Sequence, residues 1–129
     1  MIYLEETKMI KYTENHEWVK VDGSKVTMGV SEYAQDSMGD VVFVELPEVD
    51  DSFSKGDGMS TIESVKAVSD VYAAVSGTIV EVNEALLDEP ELINSDPMGK
   101  GWLVVIDMED AADLEDLMSE EEYEAFIKE

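Results

Sequence analysis

Gly39-Asp40-Val41-Val42-Phe43-Val44 returns 38 positions on as Gly77-Thr78-Ile79-Val80-Glu81-Val82. Each copy opens on a turn-forming glycine and runs through β-branched residues, which favour extended backbone. A polar bend follows each copy, then a Lys-Gly pair (Lys55-Gly56 and Lys100-Gly101), then an apolar stretch (Met59 to Ile62 and Trp102 to Ile106). Two copies of about 40 residues are too few for a solenoid, which needs three or more repeats to bury a continuous core. Two half-sheets packed face to face meet the same need. The echo therefore predicts a mainly β fold, a flattened barrel or sandwich with quasi-twofold halves whose alternating faces are buried against each other.

Outward from the echo, the punctuation is local and regular. Trp18 to Val21, the turn Asp22-Gly23-Ser24 and Lys25 to Val30 read as a hairpin. Ser31 stands where an N-cap belongs and Gly39 where a helix stops, so one short helix follows that hairpin. Val41 to Leu46 is a strand ended by Pro47, and Met59 to Ser64 and Asp70 to Val75 are further strands. Leu114, Leu117, Met118, Tyr123, Phe126 and Ile127 recur at helical spacing, and Ser119 with Glu122 forms a capping-box signature. Residues 111–129 are thus read as a C-terminal helical segment covering one open end of the barrel. Residues 1–10 are read as an N-terminal extension, and 1–129 as a single domain.

Composition narrows the chemistry. The chain has 129 residues and 44% apolar content, enough for one core. Its 32 acidic and 8 basic side chains give a net charge of −24, and every basic residue is a lysine. Such a field repels phosphate backbones and anionic lipid heads, which argues against nucleic acid and membrane surfaces as partners. Cysteine is absent and His16 is the lone histidine, so no disulfide, thiolate zinc site or cysteine nucleophile is available. No metal site is expected, since Asp50 to Gly56 resembles a calcium loop but has Lys55 where such a loop needs glycine. Met1 to Lys11 lacks the features of a secretory or transit peptide, so a cytoplasmic location is expected, although a mature mitochondrial protein would read the same.

Between the two copies lies Glu63-Ser64-Val65-Lys66-Ala67-Val68-Ser69-Asp70. Two strands meet here, and a hairpin tip would project Lys66 into solvent. By composition and spacing alone Lys66 reads as a solvated surface lysine.

The stretch resembles the lipoylation hairpin of the glycine cleavage system H proteins, in which the modified lysine lies within Glu-Ser-Val-Lys-Ala followed by Ser-Asp. The likeness extends through Tyr12-Thr-Glu-Asn-His-Glu-Trp-Val19, Tyr33-Ala34-Gln35, Gly39 to Pro47, Gly77 to Leu86, Pro90 to Asn94, Gly101-Trp102, and Tyr123 with Phe126. It implies a lipoyl-domain-like barrel-sandwich hybrid with lipoate in amide linkage on Lys66, within the motif Glu63, Ser64, Val65, Ala67 and Ser69. It also implies a non-catalytic carrier that takes the aminomethyl group of glycine from glycine decarboxylase to the aminomethyltransferase, and the dithiol to dihydrolipoamide dehydrogenase. A lipoyl or octanoyl transferase, or a lipoate ligase, would load it, and a monomer is expected. A lipoylation relay that hands lipoyl groups to 2-oxoacid dehydrogenase subunits is the alternative. A free-standing enzyme has no nucleophile motif to support it.

By the same resemblance, Glu17, Asp70 and Asn15 are candidates for a cleft that shelters the loaded arm, where a carboxylate would meet an ammonium. Each has an ordinary reading too: Glu17 as one exposed acid among many, Asp70 as a strand-end turn residue. Asn15 stands where many members of the family carry serine. His16 is read as a satisfied histidine beside Trp18 in preference to a lining residue. Ala74 replaces a common proline, which should loosen the turn after the hairpin.

Overall fold

A computed structural model describes residues 9–128. Its strands are β1 (Met9–Tyr12), β2 (Glu17–Asp22), β3 (Lys25–Val30), β4 (Val41–Glu45), β5 (Ser52–Phe53), β6 (Gly58–Ser64), β7 (Val68–Tyr72), β8 (Gly77–Val82) and β9 (Val104–Met108). The helices are α1 (Glu32–Met38), α2 (Ala85–Asp88), α3 (Leu92–Ser95) and α4 (Glu120–Ile127), with a 3₁₀ turn at Ala111–Leu114. Two antiparallel sheets form, one of six strands in the order β1-β2-β3-β9-β8-β5 and one of three, β4-β6-β7. They are open sheets packed face to face, the sandwich form of the expected fold.

The echo survives as backbone register. β4 pairs with β6 through Val41↔Ser64, Phe43↔Glu63 and Val44↔Ile62. β8 pairs with β9 through Ile79↔Ile106, Glu81↔Val105 and Val82↔Val104. Each pairing slips at the same place in its copy, between Val41 and Phe43 and between Ile79 and Glu81. The extra residues, Val42 and Val80, are 54% and 38% exposed, as bulge residues released from the ladder are. The Lys-Gly pairs do not take part in this equivalence. They are 45 positions apart in the sequence, whereas the pairing relates Ser64 to Ile106.

The core lies between the sheets. Val19, Val26, Met28, Ile79, Val104 and Ile106 from the large sheet meet Val41, Val44, Ile62 and Val71 from the small one. Removing a side chain of this size from water contributes about 1.5–3 kcal/mol, so this layer holds the two halves together. In β2, Trp18 points to the other face, against Tyr12 and Tyr123. Gly29 lies opposite Trp18 in the register, and a Cβ there would stand 2.7 Å from the indole nitrogen, so the flat packing of the ring requires glycine.

Several local expectations hold and others need correction. The β2–β3 hairpin turns at Gly23-Ser24, Ser31 caps α1 by accepting from Ala34 N, and Ser119 and Glu122 make both bonds of the capping box. The last helix is shorter than the apolar spacing suggested. Leu114 ends the 3₁₀ turn and Leu117 joins the main core ahead of α4, while α4 lies over Tyr12 and Trp18 on the outer face of the large sheet, not across an open end. Met9 and Ile10, counted with the extension, belong to β1 and pair with Val21 and Lys20 of β2; residues 1–8 and Glu129 lie outside the described residues. β7 begins at Val68 and ends at Tyr72, because Ala73 bonds instead to Gly56 and Asp57. Among the described residues no helix is long and apolar enough to cross a membrane.

Candidate functional site

β6 and β7 run together until Glu63 faces Val68, and the chain then reverses through Ser64-Val65-Lys66-Ala67. Ser64 organises the reversal. Its N–H donates to Ala67 O (2.8 Å), and its hydroxyl accepts from Lys66 N and Ala67 N (3.3 and 3.2 Å). Val65 and Lys66 are left at the tip, both exposed, with Val65 and Val68 66% and 67% open to solvent.

The tip rests on a fixed base. Val65 N donates to Asp40 O (3.0 Å), and the lysine stem runs over Gly39, where a Cβ would lie 3.3 Å from Lys66 Cε. Gly39 adopts φ 78, which glycine takes without steric cost. Asn94 of α3 locks this corner: its side chain donates to Gly39 O (2.9 Å) and Gln35 Oε1 (3.0 Å) and accepts from Val41 N (2.8 Å). No sequence signal distinguished Asn94 from the other polar residues around it, and its three partners are 53 or more positions away.

Beside the tip is a cleft of about 230 Å³ bounded by α1, the turn before β2 and the start of β7. The three residues proposed by resemblance, Asn15, Glu17 and Asp70, all line it, with His16, Tyr33 and Met38. A second cleft of about 230 Å³ opens on the far side, past Thr13, Lys55 and Tyr72, and it shares Asn15 and Glu17. Lys55 is engaged there with Asp116 and with Asp113 O, and this is the one ion pair among the described residues.

Glu17 is the unusual member. It is 2% exposed, which excludes the surface reading. Thr13 Oγ1 donates to Oε1 (3.0 Å) and Tyr72 N donates to Oε2 (2.7 Å). Burial pushes its carboxyl up to about 7, and the two hydrogen bonds offset this only in part. Among the described residues no cation is among the groups acting on it. Asp70, by contrast, is exposed on β7, facing Thr61, and Asn15 is exposed with its N–H on Thr13 Oγ1.

His16 combines its two readings. It lines the cleft, and it is satisfied, but by Tyr123 of the last helix: Nδ1 lies 2.8 Å from the phenol oxygen. Its ring packs on Tyr33 (4.8 Å between centroids) and Phe126 (5.7 Å), and burial lowers its pKa from the usual imidazole value. Ala74 is buried in the core.

Comparison with known proteins places this arrangement. The family model described as glycine cleavage H-protein matches residues 10–129. The chain is 55% identical over 120 residues to the glycine cleavage system H protein of Halothermothrix orenii, covering 93% of this chain and 94% of that one. It is 54% identical over 123 residues to the protein of the same description from Vibrio cholerae, covering 95% and 98%. Its backbone is similar to the crystal structure of a glycine cleavage system H protein from Mycobacterium marinum, with a TM-score of 0.85, 36% identity and coverage of 95% and 99%. With a lysine at the tip of a braced hairpin, a cleft beside it and likeness over nearly its whole length, this chain belongs to the glycine cleavage H-protein family.

Proposed function

We propose that Lys66 carries lipoate in amide linkage, and that this chain presents the arm in turn to glycine decarboxylase, the aminomethyltransferase and dihydrolipoamide dehydrogenase. Family membership makes the chain a lipoyl carrier of the glycine cleavage system. The observation that carries the assignment to Lys66 is its position at an exposed two-residue tip, braced from below by Gly39, Asp40 and Asn94. An attaching enzyme, a lipoyl or octanoyl transferase or a lipoate ligase, can reach Nζ there without unfolding anything. In its deprotonated form Nζ attacks the activated carboxyl carbon, the activating group departs, and the amide nitrogen is left uncharged. The net charge passes from −24 to −25.

Bound there, lipoate supplies a disulfide that can be reduced and a sulfur that can hold a one-carbon amine, chemistry for which this cysteine-free chain has no group of its own. The residues of the chain do the rest. Gly39 leaves room for the stem, and α1, which ends at Gly39, also forms one wall of the cleft that Asn15, Glu17 and Asp70 line. Glu17, buried and with no cation acting on it among the described residues, is suited to meet an ammonium, which would stabilise the ionised carboxyl and return its pKa toward the ordinary range. On this reading the chain is not itself an enzyme: it presents and shelters, and its partners perform the chemistry.

The intact mass of the protein expressed with a lipoate ligase tests the assignment. The wild-type chain should gain one lipoyl amide, while Lys66→Ala should gain none and should fail to support glycine cleavage in the reconstituted system. A wild-type chain that remains unmodified, or a variant that remains active, overturns it.

A further inference from the structure

The structure assigns Tyr123, in the last helix, the role of a positioning residue that ties together the two walls of the arm cleft. This rests on reading that cleft as the dock of the loaded arm. The phenol oxygen of Tyr123 lies 2.7 Å from Ser31 Oγ and 2.8 Å from His16 Nδ1. Each partner begins one wall. Ser31 caps α1, which contributes Tyr33, Ala34, Ser37 and Met38 to the cleft, and His16 contributes its own ring from the turn before β2. A single hydroxyl therefore spans the two walls at the end away from Lys66.

The wall at His16 needs such a tie. His16 holds φ 67, a left-handed conformation that a residue with a Cβ adopts at a cost. Its backbone is fastened by its N–H to Thr13 O (3.1 Å) and by its carbonyl, which accepts from Ser31 N (2.9 Å). Among the described residues the side chain has one hydrogen-bonding partner, Tyr123. The tyrosine ring is placed independently of its hydroxyl. It stacks on Tyr12 at 4.2 Å and 4°, and Tyr12 is bonded through its backbone to Met118 in both directions. Removing the hydroxyl alone should therefore leave α4 seated and the His16–Ser31 backbone bond in place while freeing the His16 ring and removing one bond from the Ser31 hydroxyl.

Tyr123→Phe tests the assignment in the lipoylated full-length protein, with Tyr12→Phe as a control that removes a hydroxyl from the same ring stack. Two readouts are needed. Titration of the His16 ring by NMR should show a pKa below the ordinary value in the wild type, the same value in Tyr12→Phe, and a changed value in Tyr123→Phe, where the ring has lost its hydrogen-bonding partner. With the arm loaded from glycine by the decarboxylase and no aminomethyltransferase present, Tyr123→Phe should lose the one-carbon amine about fivefold faster than wild type, the factor expected for about 1 kcal/mol of lost hydrogen bonding. Reoxidation of the unloaded arm by dihydrolipoamide dehydrogenase should not change. If His16 titrates as in wild type, or the rate of loss is unchanged, the role of Tyr123 is overturned while the dock stands. If the wild-type chain loses the amine as fast as urea-unfolded protein does, the dock itself is overturned and this role with it.

Discussion

Two three-stranded units share one register, β4-β6-β7 and β8-β9-β3, yet they end differently. In the first, Ile62 faces Ser69, Glu63 faces Val68, and the chain closes on itself at Val65-Lys66. In the second, Val104 faces Met28, Val105 faces Thr27, Ile106 faces Val26, and the strands run on to Asp107 opposite Lys25 with no link between them. The second unit is also flanked, by β2 beyond β3 and by β5 beyond β8, and it becomes the middle of the large sheet. The first remains a separate small sheet whose outer face shows Phe43, Glu63 and Val68 to solvent. One pattern thus gives a scaffold where neighbours cover it and a presented hairpin where they do not.

The largest stability effect should come from the scaffold unit. Ile106 is 1% exposed between Val26 and Ile79, so Ile106→Ala should cost about 2–5 kcal/mol in urea unfolding. A cost under about 1 kcal/mol would break the distinction between the units.

The next effect tests the joint between them, where Glu17 of the large sheet accepts from Tyr72 of the small one. The folded chain holds the Glu17 proton at about 7, against an ordinary 4.5. Because the folded value is the higher one, the protonated carboxyl contributes its stability fully below pH 4.5 and loses it as pH rises to about 7. A shift of this size corresponds to about 3 kcal/mol. Glu17→Gln cannot ionise, so its stability relative to wild type should rise by up to that amount across the same range. A constant difference between the two proteins from pH 4.5 to 7.5 would show that Glu17 is ionised throughout. The smallest effect belongs to the presented unit: Val68→Ala, at a site 67% exposed, should change stability by less than about 0.5 kcal/mol.

What could be read from the residues was what short-range chemistry controls. Ser31, Gly39, and Ser119 with Glu122 satisfy helix-end groups within a few positions of themselves, so their identity carries their role. β1 and β5 were missed because their short runs gain order from β2 and β8 rather than from their own pattern. α2 and α3 are single turns, below the length at which an apolar period can be recognised. The Lys-Gly echo misled for the opposite reason, since identical residues recurred without equivalent pairing partners. In the site, the motif singled out Lys66 and gathered Asn15, Glu17 and Asp70, which do share one cleft. It gave no indication that Glu17 is buried while Asp70 is open, nor that Asn94 and Tyr123 brace the surroundings.

The sequence by itself determined the two-copy β pattern, the hairpin that lifts Lys66, the helix caps, and a charge of −24 that disfavours polyanionic partners. These are consequences of residue type acting over a few positions, or of summed charge. Tertiary structure alone decided which copy became scaffold and which became presentation, the ionisation of Glu17, and the tie from His16 to Tyr123 across 107 positions. Such properties depend on which distant atoms displace water from a group, and that is settled only when the two sheets close on each other.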